Sequence, residues 1–393
     1  MIGRLIALLA YVVFALTSAG FAQDRDEEPV KLMRRLHQAY EAMARGDAGA
    51  RLEHEQLLVA IPAALANAER RLWREPQNAR AVISYVLSGG EPKALRDLLA
   101  AGLIPEQFRR LAEGAVAYAE GREHEAASRL LDIEARTLDP ELSGAVALVQ
   151  GVISTRTAPE KAIRFFDQAR LLAPGTVVEE AALRREMLLL TAGSDIDKLK
   201  LLLQRYIQQY PRSYYADTFW QQLAKEIANS EVLSARISEV TEPLQQLDER
   251  KQQQFFSVLA EEAITRNKFP LAGVAAKHAT ALAIVGSREE RRARILQAAA
   301  LVITEEFDQA ASDLGAISAG DLDHDAKVLR NAALSVARQI RRMPDHVMAS
   351  RDPSAERSSS ERARQLSSIG QQSMEWAREV LAKVDAMIQE DMK

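Results

Sequence analysis

The chain contains no cysteine. That one absence excludes disulfides, thiol catalysis and cysteine-ligated metals together. It also excludes a bacterial lipid anchor, which needs a cysteine at the start of the mature protein. Glycine is sparse, and no glycine-rich phosphate loop or Gly-x-Ser-x-Gly nucleophile elbow occurs. Alternating apolar and polar stretches bounded by turn residues are missing, so little or no sheet is expected. Neither charge sign dominates. The formal charge of −4 carries no nucleic-acid footprint for a chain of 393 residues. Beyond the first residues no segment approaches the eighteen or so consecutive apolar residues that suggest a membrane span.

What is present begins at the N-terminus. Arg4 precedes the unbroken apolar run Leu5 to Leu16, and small residues stand at Gly20 and Ala22. This is the pattern of a secretory signal peptide, with cleavage expected after Ala22 and a periplasmic mature chain starting at Gln23. The alternative is an uncleaved N-terminal anchor, against which the interruptions at Thr17, Ser18 and Gly20 argue. No membrane span is expected after cleavage. The remainder is long enough for a large core or two domains, and it is dominated by Ala, Leu, Glu, Arg and Gln, all strong helix formers.

Internal repetition follows. Glu160 to Pro174 reads EKAIRFFDQARLLAP, in which Ala162, Phe166, Ala169 and Pro174 follow the second helix of a tetratricopeptide repeat. A small residue lets two helices approach, a larger one four positions on fills the groove, and proline ends the helix. The spacing recurs at Gly121, Ala126, Leu130 and Ile133, with Pro140 arriving late. It recurs again at Leu199, Leu203, Tyr206 and Pro211, at Ala272, Ala276 and Ala279, and at Ala310, Leu314 and Ile317. The first anchors, at 126, 162, 199, 272 and 310, are separated by 36, 37, 73 and 38 residues. The register missing near 235 falls in EVLSARISEV, which is helical in composition but lacks the pattern. The expected fold is all-α, with tetratricopeptide-like hairpins stacked as a solenoid in which neighbours bury each other's apolar faces. An irregular helical array with chance spacings is the alternative. The expected packing positions are Ala126, Leu130, Ala162, Phe166, Ala169, Pro174, Leu203 and Tyr206.

The organisation divides as a signal peptide over 1–22, N-terminal helices over 23–92, a repeat array over 93–345, a polar linker over 346–368 and an amphipathic helix over 369–393. Among the N-terminal helices, Met33, Leu36, Tyr40 and Met43 form one stripe. Leu57, Leu58, Ile61, Leu65 and Leu72 form another, in a helix that Pro62 should kink or break. Ser88, Gly89, Gly90 and Pro92 signal a turn, with a helix from about Lys93. The last helix, carrying Met374, Trp376, Leu381 and Met387 on one face, either caps the array or binds a partner from a tether.

No catalytic constellation is present. His54-Glu55 and His124-Glu125 start the zinc-protease spacing, but Leu58 and Ser128 stand where the second histidine belongs. Asp321, Asp323, His324 and Asp325 form the best metal candidate, yet they lack a calcium loop's glycine and closing glutamate, so no metal site is assigned. The arginine pairs sit among acids on helices. Glu180, four residues before Arg184, reads as a helix-surface ion pair. Neither an enzyme nor a cofactor is expected.

Two segments, NARAVISYVLSGGEP (Asn78 to Pro92) and ARLLAPGTVVEEAALRRE (Ala169 to Glu186), resemble the MotC family of alphaproteobacterial flagellar motility proteins, as do the signal peptide and the order of helices. The resemblance implies a periplasmic protein without enzymatic activity or cofactor, required for flagellar rotation and acting with the periplasmic part of the stator subunit MotB. Exposed polar contacts to that partner are expected around Arg80, Glu179 and Arg185, although ordinary pairing along the helices would serve these residues equally well. A tetratricopeptide-type adaptor in cell-wall or outer-membrane assembly is the alternative. A helical cell-wall hydrolase ranks behind both, for want of any catalytic domain.

Overall fold

A computed structural model describes residues 29–341 apart from 194, 303–306, 319, 321 and 323. The expected signal peptide, polar linker and final amphipathic helix lie outside the described residues. Within them every regular element is helical, as the composition requires: eighteen α-helices and three short 3-10 turns. Contacts divide the chain into two compact units. One runs to Leu189 and adds Gln208–Ala216; the other comprises Leu190–Ile207 and the residues from Asp217 onward.

The first unit is built from α1 (Pro29–Ala44), α2 (Ala50–Asn67), α3 (Pro76–Leu87), α4 (Lys93–Ala100), α5 (Glu106–Ala119), α6 (Glu123–Leu130), α7 (Pro140–Ser154), α8 (Pro159–Leu172) and α9 (Val177–Leu190). Its hub is α3. Pro76 opens this helix at a position whose N–H would have no partner anyway. From Ala81 to Leu87 every residue is buried, because α1, α4, α5 and α7 all pack on it. A helix apolar all round needs such a position. It ends as the sequence predicts. Gly89 takes φ +96°, the Gly90 N–H donates to the Tyr85 carbonyl at 2.9 Å, and the Tyr85 ring fills the space a Gly90 Cβ would need.

Consecutive helices pack in pairs: α1 on α2, α5 on α6, α7 on α8. The α7–α8 pair shows why the small residues matter. Ala162, Phe166 and Ala169 have no exposed surface, and a Cβ on Gly151 would collide with the Phe166 ring. Gly114 receives Leu130 in the same manner between α5 and α6, where Ala126 and Leu130 are fully buried. Gln150, itself buried, donates from Nε2 to the Leu130 and Ile133 carbonyls at 2.8 Å each, securing the end of α6. Pro174, expected among the packing positions, is corrected: it stands exposed just past α8, where it acts as a helix stop and not as a packed side chain.

Of the kink or break expected at Pro62, the break is corrected. Helix α2 neither stops nor divides there; it runs from Ala50 to Asn67 through the proline. Leu57, Ile61 and Leu65, on both sides of Pro62, are buried, and α2 packs on α1. That burial holds the helix together across the one backbone hydrogen bond proline cannot make.

The second unit contains α10 (Ile196–Gln209, to Ile207), α11 (Ala216–Asn229, from Asp217), the short α12 (Glu231–Ala235) and α13 (Ile237–Val240), then α14 (Glu249–Thr265), α15 (Phe269–Leu282), α16 (Arg288–Leu301), α17 (Phe307–Ala316) and α18 (His324–Arg341). Each helix from α14 to α17 packs on the next, and α16 also packs on α14 and α18. Alanines permit the approach: Ala272, Ala275, Ala276 and Ala279 of α15 are wholly buried. The EVLSARISEV stretch, which lacks the repeat pattern, is the stretch broken into α12 and α13. Leu203 and Tyr206 are buried. Tyr206 begins an aromatic chain, with ring centroids 4.7 Å from Phe219 and 5.5 Å from Trp220. It continues from Trp220 to Phe255 at 6.5 Å, and from Phe256 to a stacked His278 at 4.8 Å.

Candidate interaction surface

The PGTVVEEAALRRE segment forms the turn into α9 and the helix itself. Gly175 takes φ +75°, and its N–H donates to Glu179 Oε2 at 2.6 Å. Tyr210, from the 208–216 strip, directs its hydroxyl to the Thr176 carbonyl at 3.1 Å and to Glu179 at 3.2 Å. Ser213 donates to Glu180, and Arg184 lies 3.7 Å from Glu180 and 4.8 Å from the centre of the Tyr215 ring. Arg170 of α8 pairs with Glu186 at 3.0 Å. Glu179, Glu180 and Glu186 have no exposed surface. The strip is held further by the Tyr214 N–H, which donates to the Met43 carbonyl at 3.1 Å, and by the close approach of Gly46 to Arg212.

Two expectations change in consequence. Glu179 is not an exposed contact residue but an internal acceptor beneath the 208–216 strip. The Glu180–Arg184 pair forms, but on a covered face rather than a solvated one. Helical spacing alone does not reveal a strip that returns some thirty residues later. Arg185, one position on, is exposed.

Arg80 stands elsewhere, with 21% of its side chain exposed. It lies 3.4 Å from both Asp139 and Glu141, bridging α3 to the start of α7. It borders a cavity of about 290 Å³ lined also by Arg34, His37, Glu41, Ser84 and Glu141, and neither Glu179 nor Arg185 lines that cavity. His37 Nε2 is 3.3 Å from Ser84 Oγ. Burial lowers the His37 pKa from its ordinary value of 6.5, with the nearby Glu41 and Glu141 pulling it partly back. On the same helix, burial pushes the Tyr40 hydroxyl up to about 12. The arrangement suits a neutral imidazole in a polar wall. Of these residues only Arg80 was expected at a functional surface. His37 and Ser84 belong to no catalytic or ligand-binding motif, so the sequence carries no signal that would have found them.

The other histidines occupy ordinary places. His124 is exposed, and His54 is half-buried with its ring 4.6 Å from that of Tyr40. Among the described residues no three acidic or histidine side chains converge as metal ligands. Asp321 and Asp323 of the acidic cluster lie outside the described residues. No described helix is long and apolar enough to cross a membrane.

Both sequence segments that carried the family resemblance therefore serve architecture, the first as the hub α3 and the second as the turn and network of α9. No solved structure matches the chain. A protein of Rhizobium meliloti (strain 1021) named "Chemotaxis protein MotC" is 30% identical over 353 residues, which is 88% of this chain and 80% of that protein. The sequence profile of the family described as "Chemotaxis protein MotC" matches residues 2–393. The chain belongs to the chemotaxis protein MotC family.

Proposed function

We propose that this MotC-family chain is a periplasmic, non-enzymatic motility protein that binds the periplasmic part of the stator subunit MotB, with its helical hairpins stacked as a tetratricopeptide-like solenoid. Family membership supports the motility role. For the architecture, the observation that weighs most is the register of helix starts. Asp139, Thr176, Ser213, Asp248 and Ser287 immediately precede or open the turns into α7, α9, α11, α14 and α16, at intervals of 35 to 39 residues. Four of their side chains accept local backbone N–H groups: Thr176 from Val178, Ser213 from Tyr215, Asp248 from Lys251 and Ser287 from Glu290. Gly175 and Gly286 each donate to the glutamate four residues on, at 2.6 and 2.5 Å, so one turn design occurs in both units. Recurrent helical pairs present long surfaces suited to extended protein segments.

The test is a clean deletion scored for swimming and for filament number. A stator role predicts normal filaments that do not drive swimming. It also predicts rescue by the full chain and no rescue by a chain lacking residues 2–22. Loss of filaments would favour the alternative of an adaptor in envelope assembly, which the same stacked hairpins would serve.

A further inference from the structure

The cavity of about 420 Å³ in the second unit is an open groove across α11, α14 and α16. Its floor is Trp220 and Phe255, both buried. Its walls are polar: Asp217 and Gln221 from α11; Lys251, Gln254, Ser257 and Glu261 from α14; Arg288, Glu289 and Arg292 from α16. These positions follow helical spacing, so each helix turns one polar face to the groove. Arg292 and Glu261 pair across α14 and α16 at 2.6 Å, fixing the spacing of the walls.

We propose that this groove is a binding site for an extended polypeptide segment of a partner protein; the proposal rests on the protein-binding reading above and locates it. The chemistry of the walls selects that occupant. Acidic and basic side chains are balanced along the groove, which disfavours a polyanion such as nucleic acid. Gln221 and Gln254 expose carboxamides, each holding a donor and an acceptor, and so match the alternating N–H and C=O of a main chain whatever its sequence. Trp220 is 5% exposed, and its indole N–H finds no acceptor among the described residues. A buried donor of that kind is costly, and an occupant's carbonyl reached by a small shift of the floor would relieve it. Three neighbouring helices at ordinary packing distances span about 20 Å between outer axes. An extended chain covers that width in about six residues.

The test uses two peptide sources against the full mature chain: a displayed random heptapeptide library, and labelled heptapeptides tiled across the MotB periplasmic domain. Binding is measured by anisotropy to wild type, Gln221→Ala/Gln254→Ala, Ser257→Trp and Lys277→Ala. Both glutamines are exposed, so the double variant keeps the fold, as circular dichroism will verify. Selected peptides should bind wild type and the distant Lys277→Ala alike, and weaken about tenfold or more in the groove variants. Equal binding to all four proteins overturns the proposal, as does the absence of any binding peptide from either source at about 1 mM. Library peptides that obey the pattern while MotB peptides do not bind would keep the groove and remove MotB as its occupant. MotB peptides indifferent to the groove variants would keep the partner and remove the groove.

Discussion

Phe166 has no exposed surface, and its ring occupies the space beside Gly151 where any side chain would collide. Phe166→Ala should therefore cost about 3–5 kcal/mol in chemical denaturation. Gly151→Ala should also destabilise, because the added methyl overpacks a filled contact. Midpoints equal to wild type would mean that this contact does not hold the α7–α8 pair. The position was legible in the sequence because an aromatic residue between two alanines, at helical spacing, marks a close helix contact. Glu179 was not, since a charged residue on a helix is usually solvated and its Tyr210 partner is remote in sequence. His37 belongs to the same class of residue. Burial lowers its pKa from 6.5, so the unfolded chain binds its proton more readily than the folded one. Stability should then fall as the pH drops below about 6.5 toward the folded value. Denaturation midpoints at pH 7.5 and 5.5 will check this, with a smaller loss expected for His37→Gln than for wild type. His54, also lowered mainly by burial, adds to the slope in both proteins. An equal loss would show that His37 stays protonated or accessible in the fold.

At the scale of elements, the 208–216 strip is held by α9 rather than by apolar packing alone. Glu179 and Glu180 receive Tyr210 and Ser213, while Met43 in the last turn of α1 and Gly46 just after it meet the strip. Removing a buried acceptor leaves its partners unsatisfied and is expensive, about 3–5 kcal/mol where an ion pair is broken. Glu180→Ala should therefore destabilise the first unit. Hydrogen exchange should speed first at Ser213, Tyr214 and Tyr215, before the core amides of α3. Uniform exchange across both regions would show that the network is not what fixes the strip. Helix boundaries were partly legible: EVLSARISEV, read as helical, is divided into two short helices without any turn signal, whereas the Ser88–Pro92 turn was legible from its turn residues. The passage of α2 through Pro62 was not, because local propensity is silent about burial on both sides of a proline.

For the whole molecule, the all-helical character followed from composition. The binding surface was the least legible part. The two segments on which the family resemblance rested build the interior, so that resemblance pointed toward the hub and the α9 network rather than toward exposed residues. Arg80 is tied to Asp139 and Glu141, and of the three residues expected to contact a partner only Arg185 is freely exposed. Export is tested by N-terminal sequencing of the periplasmic fraction, which should begin at Gln23; an intact Met1 species fixed to membranes would contradict it. Above all, the proposed role requires direct, metal-free binding to the stator. A titration of the purified mature chain against the purified periplasmic domain of MotB, with chelator present and at low and physiological salt, measures it. A stator-binding chain should give saturable binding that survives chelation and weakens as salt screens its charged contacts. No binding at high micromolar concentration, for a protein whose deletion still abolishes swimming, would contradict that role.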